Sequence, residues 1–344
     1  MKIKRIYLIL LLLTSCGNVK IENNLVEEQS VKTIHLDTEE LNFQDLGLMP
    51  KGCCFVDSFF VVYNAKVDDK IISVYKNQKI VTEFGRLGNG HNDLLYPMFI
   101  AKGHSLKRFM PLKTGSEYRL YDFSSIVGVE KNYESSELPE IAMITNNVLI
   151  NNDTLTVLTA STDTQLYFYN KTTLAEKKKS YFDDKFLGDK ASDDAYNMTI
   201  YRAVYSCNGK YIIAAYTHFK MIDIISLEGE LIKRIVFEGY DINKPKFYVS
   251  DDNGNVRYAD DTVKFFTSII ISDDCFYLVC QNNSEPNTTS CITKTLLYKF
   301  DYTGCLLTKY QFDNTMTFGA VQGNDLFIIG YKEIDEPKIY HAVL

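Results

Sequence analysis

The stretch TLLYKFDYTGCLLTKYQF (residues 295–312) decides the fold class. Successive side chains of a β-strand point to opposite faces, so Leu296, Tyr298 and Phe300 would share one face. Tyr302-Thr303-Gly304 interrupts this alternation, which then resumes toward Phe312. Alternation with a period of two on both sides of a short turn predicts a β-hairpin.

The same pattern recurs along the chain. Four further copies of the hairpin occupy residues 69–85, 117–133, 164–182 and 219–237. Each hairpin follows another pair of strand-like runs, such as RAVYSCNGKYIIAAYTH (202–218), in which Asn208-Gly209 is a strong hairpin signal. A repeat of four strands in roughly 50 residues predicts the blade of a β-propeller.

The repeat predicts an all-β fold, a six-bladed β-propeller that spans residues 31–344. The turn positions 76, 122, 170, 226 and 301 are 46, 48, 56 and 75 residues apart. The sixth blade has only three strands before Leu344, and we expect the N-terminal strand VKTIHLDT (31–38) to complete it. Such closure removes an exposed sheet edge. Seven blades stay an alternative because the last interval is long.

The N-terminus predicts a secreted, lipid-anchored protein. Three basic residues precede an apolar run over 6–13 that is too short to span a bilayer, which needs roughly 20 residues. Residues 1–15 therefore form a secretory signal peptide. The sequence LTSC (13–16) resembles the lipobox of bacterial lipoproteins, which implies lipidation of Cys16 and a lipid bilayer as partner. The polar segment 16–30 is expected to be a flexible tether, and the localisation the bacterial cell envelope at the outer membrane.

Composition narrows the class of partner. A net charge of −7 argues against nucleic-acid binding, which needs a concentrated positive surface. Beyond Cys16 the chain has seven cysteines, which we expect to be mostly small buried hydrophobes, with Cys280–Cys291 as the candidate disulfide. No cysteine or histidine spacing indicates a metal. The stretch SDDNGNVRYADD (250–261) is superficially like a calcium loop, but Val256 stands where the turn needs glycine. We therefore expect no metal and no cofactor.

One loop carries a family resemblance. The stretch EFGRLGNGHNDLLYP (83–97) is similar to the glycine-rich loop between the first two blades of TolB-like six-bladed propeller lipoproteins of Bacteroidetes. Gly88 and Gly90 match the glycines of that motif and Pro97 matches its proline, whereas Asn92-Asp93-Leu94 departs from the acidic-aromatic pair. The resemblance implies the fold rather than an activity. We expect the two glycines to provide positive φ in a tight turn rather than ligand contacts.

The long connections predict a binding face. Residues 85–96, 183–200, 238–263 and 282–294 all join strands at one end of the blades, which we call the upper face. Long loops without regular structure are usually functional or disordered. The predicted ligand-binding residues are Arg86, His91, Asn92, Tyr96, Asp194, Tyr196, Arg202 and Tyr258. The same loops also carry Asp184, Asp193, Tyr240, Lys244, Tyr248, Arg257, Asp260 and Asp261. Aromatic rings stack and charged groups hydrogen-bond, so a saccharide, a peptide or an envelope protein is the expected ligand.

An enzymatic function is the alternative. Asp193 and Asp194 could supply half of the carboxylate pair of a glycoside hydrolase, and some propellers are lyases. Of the histidines at 35, 91, 104, 218 and 341, only His91 lies in a candidate loop, and no catalytic motif occurs. The sequence therefore predicts a binding module and names no catalytic residue.

Overall fold

The structure is a computed structural model of the 344-residue chain. It describes residues 23–43, 46, 49–65, 69–90, 92–102, 106–143, 148–151, 154–158, 166–170, 172–173, 175–179, 203–217, 219–239, 247–249, 256–258, 263–284, 295–331 and 337–344.

The described part of the chain begins with three short strands that pair with the outer edges of the last three blades. They are β1 (Asn23–Val26), β2 (Thr33–His35) and β3 (Glu39–Leu41), with a 3-10 turn at Glu28–Ser30. We call residues 23–41 the N-terminal strap. Blade 1 follows as β4 (Pro50–Val56), β5 (Phe59–Asn64), β6 (Asp69–Lys76) and β7 (Lys79–Arg86).

Blades 2 and 3 come next. Blade 2 contains β8 (Met98–Phe99), β10 (Phe109–Thr114), β11 (Glu117–Asp122) and β12 (Tyr133–Glu137), with a 3-10 turn at Val129–Lys131. β9 (Ala101–Lys102) continues the inner strand after β8 and pairs in parallel with the first strand of blade 3. A four-residue helix, α1 (Glu140–Met143), leads to blade 3, formed by β13 (Val148–Asn151), β14 (Thr154–Leu158), β15 (Leu166–Asn170) and β16 (Glu176–Lys179).

The last three blades complete the ring. Blade 4 contains β17 (Ala203–Cys207), β18 (Tyr211–Tyr216), β19 (Met221–Ser226) and β20 (Leu231–Phe237), and the hairpin of β21 (Phe247–Val249) and β22 (Val256–Tyr258) follows it. Blade 5 contains β23 (Val263–Ile271), β24 (Cys275–Ser284), β25 (Thr295–Asp301) and β26 (Leu306–Phe312). Blade 6 contains β27 (Thr315–Gln322), β28 (Asp325–Tyr331) and β29 (Lys338–Val343).

These sheets confirm the six-bladed propeller. The innermost strands of neighbouring blades contact one another all the way round, from β4 with β8 to β27 with β4. Each predicted turn follows the end of a third strand, at Lys76, Asp122, Asn170, Ser226 and Asp301. Every blade lies between two others, so both of its faces are buried and its strands carry almost continuous apolar runs. β18, for instance, has five consecutive buried residues.

The strand that closes the ring differs from the prediction. β3 (39–41), not residues 31–38, pairs antiparallel with β29 and completes blade 6. Residues 33–35 instead pair in parallel with β26, on the outer edge of blade 5. Leu36 then turns inward and is buried beside the contacts between blades 5 and 6. The predicted strand therefore extends blade 5, whereas we expected it to complete blade 6.

The predicted tether also differs from the structure. Within residues 16–30, Asn23–Val26 form β1, which pairs in parallel with β20 at the outer edge of blade 4. Glu28 fixes the next turn: its carboxylate accepts hydrogen bonds from Lys220 and Tyr298, the latter at 2.6 Å. Its backbone oxygen accepts one from Lys309 Nζ at 2.7 Å. The strap is therefore an integral part of blades 4, 5 and 6.

The cysteines of blade 5 do not form the predicted bridge. Cys275 and Cys280 are buried and neither is in a disulfide, and Cys280 packs in the apolar cluster between blades 4 and 5. The prediction of a Cys280–Cys291 disulfide is therefore wrong, and Cys280 is one of the small buried hydrophobes that the sequence led us to expect.

Candidate functional site

The connection from blade 1 to blade 2, residues 87–97, is the predicted binding loop that the structure describes most fully. We call it the upper loop. Its two ends meet where Leu94 N donates to Arg86 O at 2.7 Å and Gly88 N donates to Leu94 O at 3.3 Å. Inside the loop, the Asp93 carboxylate accepts a hydrogen bond from Gly90 N at 2.9 Å and lies 3.7 Å from Arg86 Nε. The loop is therefore closed by its own hydrogen bonds.

The structure accounts for Gly88 and Gly90 by close packing and not by a positive φ. Neither has a positive φ, so the prediction of a positive-φ turn at these residues is wrong. A Cβ at Gly88 would lie 2.3 Å from Asp93 Oδ2, and one at Gly90 would lie 2.7 Å from the same atom. An added side chain at either position would force the Asp93 carboxylate to shift. The two glycines thus leave the space that the Asp93 carboxylate occupies.

The upper loop is docked onto blade 2. Leu95 N donates to Thr114 Oγ1 at 2.7 Å, and Gly115 N donates to Leu95 O at 2.7 Å. Asn92 contributes its backbone oxygen, which accepts from Arg119 Nη1 at 3.2 Å. Thr114 and Gly115 belong to the turn between the second and third strands of blade 2. The contact confirms that this kind of turn and the connections between blades share the upper face.

Tyr96 is held in an unfavourable conformation and faces solvent. Its φ is +49°, in the left-handed region that a bulky side chain seldom adopts, and its side chain is 83% exposed. It also precedes Pro97, a position biased toward extended backbone. Residues in such conformations cost of order 1–3 kcal/mol and persist only where their surroundings impose them. The two hydrogen bonds of Leu95 and the ring of Pro97 supply that constraint here.

The predicted site residues fall into three groups. Arg86, Asn92 and Tyr96 lie together at the upper loop, where Arg86 is mostly exposed and also lies 3.9 Å from Asp69. Tyr258 lies in β22, and the register of the β21–β22 hairpin places its backbone opposite Phe247. Several predictions fall outside the described residues: those on His91, Asp194, Tyr196, Arg202, the calcium-like stretch 250–255, and most of the loops 183–200, 238–263 and 282–294. The structure therefore brings together three of the eight predicted ligand-binding residues.

The central channel contains a cavity of about 440 Å³. It is lined by the inner strands of blades 1, 2, 4, 5 and 6, mostly toward the lower ends of these strands. At its lower end Lys107 Nζ of blade 2 lies 3.3 Å from Asp273 Oδ2 of blade 5, which places an ion pair across the ring. Asp57 N donates to Lys107 O at 3.2 Å, and Asp57 O accepts from Gln322 at 3.1 Å. Turns of four blades are thus joined at the lower mouth.

Cys54 and Lys102 interact electrostatically in the lining of this cavity. Burial raises the pKa of the Cys54 thiol to about 11, against the opposing charge of Lys102. Burial likewise lowers the pKa of the Lys102 ammonium, which donates to the backbone oxygens of Lys107 at 3.1 Å and Phe109 at 2.5 Å. A thiol with this pKa stays protonated near neutral pH, so Cys54 is not an activated nucleophile. The Lys102 side chain braces the lower turn of blade 2.

Sequence reasoning missed Lys102, Lys107 and Asp273. Each lies at the lower end of an inner strand or in the turn after it, in a segment whose composition is ordinary. Their proximity arises from ring closure between blades 2 and 5, which are far apart in the sequence. The number of blades, together with the direction in which each inner strand runs, is the signal that could have predicted their proximity.

Among the described residues, no group of three or more histidine, cysteine or acidic side chains could hold a metal ion. Asp193 and Asp194, the carboxylates of the enzymatic alternative, lie outside the described residues. Within the described part of the chain, no helix is long and apolar enough to cross a membrane. What the described upper face offers is hydrogen bonding and an exposed aromatic ring.

Comparison with known proteins supports the fold. No family model and no curated protein matches the chain. Among solved structures, a Bacteroides fragilis NCTC 9343 protein described as exported superposes with a TM-score of 0.55 at 11% identity over 94% of this chain and 98% of that one. A DUF4221 family member from Bacteroides vulgatus ATCC 8482 gives a TM-score of 0.55 at 9% identity with the same coverage. These similarities show a shared fold, and membership of the TolB-like family stays a prediction.

Proposed function

We propose that the chain is a lipid-anchored protein of the bacterial cell envelope whose propeller binds a ligand at its upper face. The ring supplies a rigid support, and the connections that the sequence marks as long leave the blades at this face. Two structural relatives come from Bacteroides, and one of them is described as exported, which agrees with an envelope location.

The observation that carries the proposal is Tyr96. A tyrosine ring that is 83% exposed on a strained, tightly hydrogen-bonded loop has no role in the described packing of the blades. Tyrosine offers a flat apolar face and a hydroxyl, so it stacks on sugar rings and hydrogen-bonds their edges. Arg86, which is mostly exposed at the base of the same loop, adds charged donors. A saccharide is therefore the first ligand to test, with a peptide or an envelope protein as the further candidates.

A glycan array with matched variants tests the ligand. Tyr96→Asn removes the ring but keeps a residue that tolerates positive φ. Val127→Asn, at an 87% exposed position on the lower face, is the control. We expect Tyr96→Asn to weaken binding about tenfold, since a lost stacking contact of ~1.4 kcal/mol changes affinity by that factor. Equal binding by both variants would show that the upper loop is not part of the site. Binding to peptides and not to saccharides would identify a peptide as the ligand.

The anchor is tested separately. Metabolic labelling with radioactive palmitate should mark the intact chain, and Cys16→Ser should abolish the label. Several acyl chains hold a protein on a bilayer far more firmly than one does. A wild-type chain that takes up no label would contradict the lipid anchor. The ligand proposal would be unaffected, because the glycan array tests it independently.

A further inference from the structure

The outer strands of blades 1, 4 and 5 share an irregularity on the lower face. Each contains a β-bulge immediately after the turn that precedes it. The residue without a cross-strand partner is Val81 in β7, Ile232 in β20 and Leu307 in β26. Their exposed fractions are 42%, 53% and 47%. A bulge re-aims a side chain, and in all three blades it turns an apolar side chain outward.

Two further apolar side chains extend this set around the ring. Val127, in the connection that precedes the outer strand of blade 2, is 87% exposed, and Val343, at the lower end of β29 in blade 6, is 62% exposed. We call Val81, Val127, Ile232, Leu307 and Val343 the apolar rim. Isolated exposed hydrophobes are ordinary on protein surfaces. Five of them on the same face of five different blades form a pattern.

Charge does not dominate this surface. Exposed Lys79 and Lys131 lie near the rim, and so do exposed Glu130 and Glu230. The opposite signs largely cancel at the range of a Debye length, about 8 Å at physiological ionic strength. A partner of the rim is therefore attracted through apolar contact and does not need a net charge.

The start of the strap indicates what that partner is. Asn23 pairs with Arg234, halfway up blade 4, and Val26 pairs with Phe237 at the upper end. β1 thus runs upward, and its first residue is its lowest. Cys16 lies seven residues before Asn23, so at ~3.5 Å per residue it is at most ~25 Å away. β20 is about 20 Å long in all, which leaves the lower rim about 10 Å from Asn23.

From these placements we infer that the apolar rim rests on the phospholipid bilayer that holds the anchor. The lower face then points to the membrane, and the upper loop with Tyr96 points away from it. This inference rests on the proposed acylation of Cys16. Seating the upper face on the bilayer would require the chain to reverse direction between Cys16 and Asn23, and it would bury the exposed upper loop.

Fluorescence on the acylated full chain in phosphatidylcholine vesicles tests the orientation. Cys305 is an exposed native thiol two residues before Leu307 and can carry an environment-sensitive nitrobenzoxadiazole label. The matched chain carries the label at Tyr96→Cys with Cys305→Ser, and Cys207→Ser and Cys291→Ser are present in both. With doxyl-labelled lipid, we expect at least twofold quenching at Cys305, a blue-shifted emission there, and no quenching at the upper label.

A rim variant separates contact from anchoring. Ile232→Ser, Leu307→Ser and Val343→Ser together should abolish the quenching at Cys305 while the chain stays on the vesicles. Met49→Ser with Leu95→Ser, on the upper face, should leave the quenching unchanged. Circular dichroism confirms that both variants are folded. High salt should leave the wild-type signal unchanged.

Three outcomes overturn the inference. Quenching at the upper label, or at neither label while mass spectrometry shows an acylated Cys16, contradicts the seating and leaves the anchor intact. A chain without acylation on Cys16 contradicts the anchor, and the inferred orientation falls with it.

Discussion

Blades 1 and 4 have the same four strands in the same order, yet their outer edges differ. β20 of blade 4 ends in four consecutive buried residues, Arg234 to Phe237, because β1 of the strap pairs with it. β7 of blade 1 has one buried residue, Phe84, and among the described residues no strand pairs with its outer edge. Its edge carries Lys79, Glu83 and Arg86, charges of the kind that prevent edge-to-edge aggregation. A continuous apolar end on an outermost strand is therefore a sign that something covers it.

Blades 1 and 4 also differ in one pair of residues that face each other across the third and fourth strands. In blade 4, Asp223 accepts two hydrogen bonds from Arg234 at 2.8 Å and one from Tyr216 at 2.7 Å, and its side chain is fully buried. At the corresponding position of blade 1, Ser73 donates to Glu83 at 3.2 Å in a partly exposed setting. The same register holds a fully buried ionic network under the strap and a single, partly buried hydrogen bond without it.

Removing one partner from each pair should give the largest difference. Asp223→Ala leaves the Arg234 charge buried without its carboxylate and should lower the free energy of unfolding by about 3–5 kcal/mol. Ser73→Ala, the matched change in blade 1, should cost about 1 kcal/mol or less. Urea denaturation followed by tyrosine fluorescence measures both. Similar losses would mean that the strap does not make blade 4 special.

Two adjacent residues of β1 should differ in their contribution to stability. Val26 is buried against blade 4, whereas Leu25 is 69% exposed. Val26→Ser should destabilise the chain by about 2 kcal/mol, because a buried valine contributes on that order. Leu25→Ser should change stability by about 0.5 kcal/mol at most. Equal effects in the same denaturation experiment would contradict the pairing of β1 with β20.

Glu28 should make the strap sensitive to acid. Burial raises the pKa of its carboxyl, but hydrogen bonds from Lys220 and Tyr298 and the charges of Lys220 and Lys309 outweigh this and lower it overall. A lowered folded-state pKa contributes stability above the unfolded pKa, near 4.5, that is lost as the pH falls through the folded value. Glu28→Gln should cost about 1.5 kcal/mol at pH 7 and lose less than the wild type on acidification.

Melting temperatures at pH 7 and at pH 4 check this prediction. Glu40→Gln is the control, since its ion pair with Lys338 is half exposed and should contribute little. A wild type and a Glu28→Gln variant with the same loss between the two pH values would show that Glu28 does not control the strap.

The smallest expected effect concerns the end of blade 1, where the upper loop orders itself without a covering strand. Gly88→Ala would push against Asp93 Oδ2 and should cost about 1 kcal/mol by breaking the Gly90–Asp93 hydrogen bond. In an Asp93→Ala background the same change should cost nearly nothing, because the clashing carboxylate is gone. A double-mutant cycle by chemical denaturation measures the coupling, and additive costs would contradict the packing role of the glycine.

Local patterns predicted most of the ring. The five turn positions and the six blades depend on alternation within about 20 residues, which the sequence contains directly. The position of the upper loop was predictable from the sequence. The reason for Gly88 was not, because its close approach to the Asp93 carboxylate depends on how the loop folds. The first part of the strap was mistaken for a tether because β1 is short and pairs in parallel with a strand about 210 residues away. Residues 31–38 were expected to form a strand, but the pairing of β2 with a strand 276 residues away, in blade 5, was not predictable from local pattern. The signal that could have revealed it was the apolar end of β20.

The closing strand has a consequence for biogenesis. β3 precedes all six complete blades and its partner β29 is the last strand of blade 6, so the ring cannot close before β29 has been synthesised. Pairing across such a separation is slow, because the entropy of loop closure is lost before any contact compensates it. Until then blade 6 presents an unpaired strand edge. A nascent molecule of this kind has a period of vulnerability to proteases and to its own copies that ends only when its first and last strands meet.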